Sequence, residues 1–168
     1  MYIITILSTA VLLFLDQIAK YLAVLHLKGQ ATIPIIKNVF ELQYLENQGA
    51  AFGIMQGKKT FFVIGTLIFL VIVVILYHNI PLTKRFTPIR IVAVLIVAGA
   101  IGNMIDRVVH QYVIDFFYFK LINFPIFNVA DIYVVVACIL FILLMLFYYK
   151  EEELGQIFPF MKSKKAEE

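Results

Sequence analysis

Four aspartates, Asp16, Asp106, Asp115 and Asp131, lie inside or at the edges of long apolar stretches. A carboxylate in such a setting is costly and usually marks function or a polar partner. Asp115 sits in the run Tyr112-Val113-Ile114-Asp115-Phe116-Phe117, with nothing adjacent to neutralise it. Burial there raises a carboxyl pKa and lets the group hold a proton. Asp131 closes Phe127-Asn128-Val129-Ala130-Asp131. Asn128 reads as a helix N-cap with Asp131 at the third helical position, so capping and a favourable macrodipole are one account of this acid. The segment between the two acids contains Pro125 and can fold back. Two carboxylates brought close share a proton; one then acts as base on a water while the other donates to a carbonyl oxygen. That is a peptidase apparatus needing neither a metal nor a nucleophilic side chain.

The other two acids have cations near them in sequence. Asp16 and Lys20 are four apart and share a helix face. They read either as a structural or substrate-contacting pair, or as an interhelix salt bridge with Lys20 snorkelling to the surface. Asn103, Asp106 and Arg107 fall at i, i+3 and i+4 and form one polar face, read as a hydrogen-bonded staple with Asp106 kept ionised by Arg107. Ala98 and Gly102, also four apart, allow close helix approach. No HExxH, GxSxG or phosphate-loop pattern competes. His26, His78 and His110 lack ligand spacing, and the single Cys138 is a packing residue, so neither a metal nor another cofactor is expected.

These residues need elements to position them, and composition says what kind. Hydrophobic residues make up 62% of the 168-residue chain and charged residues 15%, so the solvent for most of it is lipid. Apolar stretches at about 2–25, 60–77, 91–109 and 131–149 are each long enough to span a bilayer as a helix. The N-terminus lacks the features of a removable signal peptide and reads as a retained first span. Residues 33–57 form an outer β-like segment: Phe40, Leu42 and Tyr44 alternate with Glu41 and Gln43, and Asn47-Gln48-Gly49 is a turn. The expected fold is therefore all-α, with four transmembrane helices and a small extracytoplasmic sheet on the membrane surface. Residues 1–150 form the membrane domain and 151–168 a charged, frayed cytoplasmic tail. Lys84, Arg85, Arg90, Lys150, Lys162, Lys164 and Lys165 outnumber the cations of the opposite side and place both termini in the cytoplasm. The net charge of +3 is scattered and does not suggest nucleic-acid binding.

Five motifs occur in order: Asp16-Gln17-x-x-Lys20, Asn47-x-Gly49-Ala50-Ala51-Phe52-Gly53, Gly102-Asn103-x-x-Asp106-Arg107, Val113-Ile114-Asp115-Phe116 and Phe127-Asn128-x-Ala130-Asp131. This pattern resembles the bacterial lipoprotein signal peptidases, also called signal peptidase II, as far as about Tyr149. The resemblance implies an aspartyl endopeptidase of the cytoplasmic membrane, active at its extracytoplasmic face; a monomer is expected, although the sequence itself does not give the oligomeric state. It implies removal of the signal peptide from diacylglyceryl-modified prolipoproteins, just before the lipidated cysteine, with inhibition by globomycin-like peptides. Asp115 and Asp131 take the place of the family's catalytic dyad. Asp16, Lys20, Asn47, Gly49, Asn103, Arg107, Asn128 and Ala130 take the supporting places, and Asp106 belongs with them. The segment between Asp115 and Phe127 is shorter and more aromatic than in many members, which puts the reach of any lid in question.

Two other classes compete. A small proton- or cation-coupled transporter also uses intramembrane Asp and Lys, although four spans are few and no inverted repeat is visible. A non-catalytic membrane scaffold would use every acid as a helix staple and would tolerate loss of Asp115.

Overall fold

The computed structural model describes residues 2–49 and 57–158. The motif residues Ala50, Ala51, Phe52 and Gly53, and the tail beyond Phe158, lie outside them. Helix α1 spans Tyr2–Leu27, α2 Lys59–Asn79, α3 Thr87–His110 and α4 Val129–Leu143. With short continuations of α3 and α4, all four are long and apolar enough to cross a membrane. None of the α2 residues is buried within the protein. An apolar helix with no buried face is stable only where lipid supplies the burial.

At one end of the bundle lies a three-stranded antiparallel sheet in the order β1 (Ile33–Ile36), β2 (Phe40–Asn47), β3 (Val113–Tyr118). The third strand comes from the connection between α3 and α4, and it carries Asp115. It escapes sequence reading because residues 113–116 are buried on both faces, and a doubly buried strand is a continuous apolar run without alternation. In β2, Leu42 and Tyr44 pack toward Ala23, Leu27, Ile114 and Phe116, as the alternation predicts. Glu41, expected to face outward with Gln43, is instead buried, its carboxylate held by Lys120 at 2.8 Å. β2 ends at Asn47, and residues 50–56 of the expected β-like segment lie outside the described residues.

Small residues set the close approach of α3 to α4 and to α1. A Cβ on Gly99 would lie 2.6 Å from the Ala130 carbonyl oxygen and 2.7 Å from Val134 Cγ2. A Cβ on Gly102 would lie 2.5 Å from Asp16 Oδ2.

At the other end of the bundle, α4 finishes in a π turn, Leu144–Tyr148, and a further helix α5 follows over Glu151–Ile157. This corrects the expectation of a frayed tail for these residues. Leu154 and Ile157 are buried against Ile80, Phe86 and Ile89. Glu153 receives two hydrogen bonds from the Arg85 guanidinium, at 2.8 and 3.0 Å. A seven-residue helix in a charged stretch is marginal by propensity alone; its two buried apolar residues and the Arg85 contact hold it.

Candidate active site

Asp115 and Asp131 arrive from different elements, and a local backbone device brings them together. The amides of Phe116 and Phe117 both donate to the Phe127 carbonyl, at 3.0 and 2.8 Å, and the Phe127 amide donates back to Phe117 at 3.0 Å. The chain thus folds back after Pro125, helped by Asn123 in the left-handed region (φ 48°). That return sets Asn128, the residue after Phe127, against Asp115. Asn128 then starts α4 with a capping box: its side-chain oxygen accepts from the Asp131 amide at 3.1 Å, and Asp131 Oδ2 accepts from the Asn128 amide at 3.0 Å. The capping reading of Asp131 is correct, and it fixes where this carboxylate points.

Asp115 is 2% exposed. Its Oδ1 accepts from Asn128 Nδ2 at 2.6 Å and its Oδ2 from Asn47 Nδ2 at 2.9 Å. Asn47 closes its own turn by accepting from the Gly49 amide at 3.0 Å, which orients its amide toward Asp115. Burial pushes the Asp115 carboxyl up to about 7, and the charge of Asp131 pushes the same way. The Asn47 and Asn128 donors and the Lys20 charge oppose this without cancelling it.

Behind the pair lies a closed polar cluster. Lys20 Nζ meets Asp16 Oδ2, Asp106 Oδ2 and Asn103 Oδ1, each at 3.0 Å, so every ammonium hydrogen has an acceptor. Lys20 does not snorkel; it is 1% exposed. Asp106 pairs with Lys20 rather than with Arg107, because adjacent helical residues point to different sides. Arg107 instead donates to the Gly49 carbonyl at 3.1 Å and lies over the Phe62 ring. Asp16 Oδ1 accepts from the Ala130 amide at 2.9 Å, tying α1 to the first turn of α4. The Ile114 amide donates to Asp106 Oδ2 at 3.1 Å, tying α3 to β3. Gln17, absent from the expected site, donates to both acids at 3.1 Å and to the Gly102 carbonyl at 3.3 Å. The signal for it was available: an amide in an apolar span needs partners.

Asn103 links cluster and pair. Because Lys20 can only donate, Asn103 Oδ1 must face it. Asn103 Nδ2 therefore donates to Asp131 Oδ1, at 2.8 Å. Asn128 Nδ2 also reaches Asn103 Oδ1, at 3.1 Å. The Asn103 and Asn128 amides are thus oriented outward from one buried cation, while the Asn47 amide is set by Gly49.

The two acids open into a cavity of about 510 Å³. Asn47, Gly49, Asn103 and Arg107 form its polar wall. Phe119 and Phe124–Phe127 form an apolar wall, and Ile132, Val135 and Val136 continue it along α4. Among the described residues no group of three His, Cys, Asp or Glu is placed to hold a metal ion.

A family described as signal peptidase (SPase) II matches residues 8–147. The chain belongs to the signal peptidase II family. A lipoprotein signal peptidase of Caldanaerobacter subterraneus subsp. tengcongensis is 44% identical over 136 residues, covering 80% of this chain and 90% of that protein. One from Streptococcus pyogenes serotype M5 is 38% identical over 150 residues, covering 89% and 95%. A solved bacterial membrane enzyme superposes with a TM-score of 0.73 at 32% identity, covering 86% of this chain and 94% of that one. Signal peptidase II membership makes this a membrane-embedded protease, and it gives the transporter reading no support. The motif resemblance and the fold class therefore stand.

Proposed function

We propose that the protein is an aspartyl endopeptidase that removes signal peptides from diacylglyceryl-modified prolipoproteins, with Asp115 and Asp131 as its catalytic pair. The observation that carries this reading is the double hold of Asn128: its side chain on Asp115 and its backbone amide on Asp131. One residue thereby registers two acids from separate elements at the mouth of one cavity. In this mechanism we assign the shared proton to Asp115, whose carboxyl burial pushes up to about 7 and which Asn128 and Asn47 hold from either side, and the base role to Asp131. Water loses a proton to Asp131 and attacks the scissile carbonyl carbon, while Asp115 protonates the carbonyl oxygen. The resulting gem-diol collapses as its hydroxyl proton returns to Asp115. The proton held by Asp131 goes to the leaving cysteine nitrogen as the C–N bond breaks.

The substrate's acyl chains and signal helix stay in lipid, which the apolar wall along α4 accommodates. The sheet sits on the extracytoplasmic side and both termini in the cytoplasm. The bias of basic residues toward the end that carries Lys84 and Arg85 supports that orientation. The enzyme acts as a monomer without a cofactor and is inhibited by globomycin-like peptides at this cavity.

The test is incubation of purified protein with diacylglyceryl-modified and unmodified precursor, with and without globomycin. Cleavage is expected only of the modified precursor, and only without inhibitor. Asp115→Asn and Asp131→Asn should each abolish cleavage while the protein still folds; wild-type rates from either variant would sink the assignment.

A further inference from the structure

We propose that a second cavity, on the outer face of the sheet, is the subsite for the first residues of the mature polypeptide, those that follow the lipidated cysteine. The proposal rests on the peptidase reading above. This cleft has a volume of about 590 Å³ and adjoins the cavity of the two aspartates. Asn47 lines both, and Phe124, Pro125 and Ile126 stand between them as a common wall. The short segment between Asp115 and Phe127 is therefore a partition with a cavity on each side. It is braced from Tyr118, whose hydroxyl donates to Asn123 at 2.8 Å.

The two cavities differ in chemistry. The first runs along the apolar side chains of α4 toward lipid. The second is lined by amides, Gln43, Asn47, Gln48 and Asn123, together with the Tyr118 side chain. Gln43, Leu45 and Asn47 of β2 all line this cleft, and Asn47 is also a hydrogen-bond partner of Asp115. The side chains of Gln43 and Gln48 make no hydrogen bond with other described residues. Among the described lining residues the one charged side chain, Glu46, is already paired with Lys28 at 2.7 Å.

A lipidated precursor cut at the dyad has one part that must leave the membrane, the polar chain after the cysteine. A primary amide both donates and accepts, which matches the alternating groups of an extended peptide backbone. The cleft thus recognises main chain rather than side-chain charge, and tolerates varied mature sequences.

The experiment uses two diacylglyceryl-modified peptides in detergent, one extended several residues past the cysteine and one ending there as an amide. With wild-type protein, kcat/KM for the short peptide should fall by about tenfold, the loss of one or two peptide hydrogen bonds. The double variant Gln43→Leu/Gln48→Leu should cut the long peptide at the short peptide's rate and leave the short one unchanged. The short peptide also reports that the variant is folded. Equal rates of wild type on both peptides overturn the proposal without any variant, and so does an equal loss on both peptides in the double variant. If wild type cleaves neither peptide, the peptidase reading fails and the subsite falls with it.

Discussion

At the residue scale the proposed mechanism turns on one proton shared by Asp115 and Asp131. The carboxyl of Asp115 is raised from its ordinary value of 3.8 to about 7, first by burial and second by Asp131. Two consequences follow, and both are losses as pH rises through about 7. For the reaction, the pair needs one proton, so kcat/KM should fall as pH rises through about 7, approaching tenfold per pH unit once the proton is lost. For stability, the folded state holds a proton that the unfolded chain has released between about 4 and 7. The stabilisation from this group is therefore complete below about 4 and is lost as pH rises through about 7. Thermal unfolding of wild type followed from pH 4 to 8 should show a falling midpoint that flattens in Asp115→Asn. An unchanged slope in that variant would assign the pH dependence to other groups. Lys20 belongs to the same scale. A buried ammonium flanked by two buried carboxylates gives little net stability over an apolar core, but it fixes the Asn103 amide and through it Asp131.

Among elements, the first turn of α4 is the part that must not move. It carries Asp131, it is tied to α1 through Asp16 and to β3 through Asn128, and Gly99 lets it lie against α3. A methyl group on Gly99 would meet the Ala130 backbone rather than a flexible chain end. Gly99→Ala is therefore expected to cost about 1–3 kcal/mol by overpacking and to lower kcat more than KM, because Asp131 shifts against Asp115. Peptide-cleavage kinetics beside thermal unfolding in detergent checks it; unaltered kcat would mean the helix pair gives way elsewhere. The sequence makes much of this region readable. The spans, the N-cap at Asn128 and both acids follow from apolar length and spacing. The partners do not. Asp106 looks paired to Arg107 because they are neighbours in the chain, yet helical geometry sends it to Lys20 on α1. Strand β3 is invisible to periodicity because both its faces are covered, and Gln17 looks like a mere interruption of an apolar span. Each miss is a contact between elements distant in sequence, which local pattern does not encode.

Across the whole molecule, the proposed active site and the apolar closure formed with α5 are at opposite ends. The sheet, the two acids and both cavities occupy the end formed by the C-terminus of α3 and the N-terminus of α4. The other end is closed by the π turn after α4, by α5, and by the stack of Phe86 on Tyr149 at 5.4 Å between ring centres. Arg85 joins that stack to Glu153, whose carboxyl its guanidinium holds down at about 2. Because this pair is exposed, it adds specificity of docking more than free energy. The free energy of the closure lies in the buried apolar residues, Ile157 above all, at 1% exposure. Ile157→Ala removes that side chain from a packed cluster and should cost about 2–5 kcal/mol. Since the cluster lies a full membrane span from the acids, the cost should appear in the unfolding midpoint and not in catalysis. The expected result is a lowered midpoint in detergent with kcat/KM for the lipidated precursor unchanged at temperatures well below it. If instead kcat/KM falls while the midpoint holds, the closure at this end governs the active site through α4, and the separation of anchorage from chemistry is wrong.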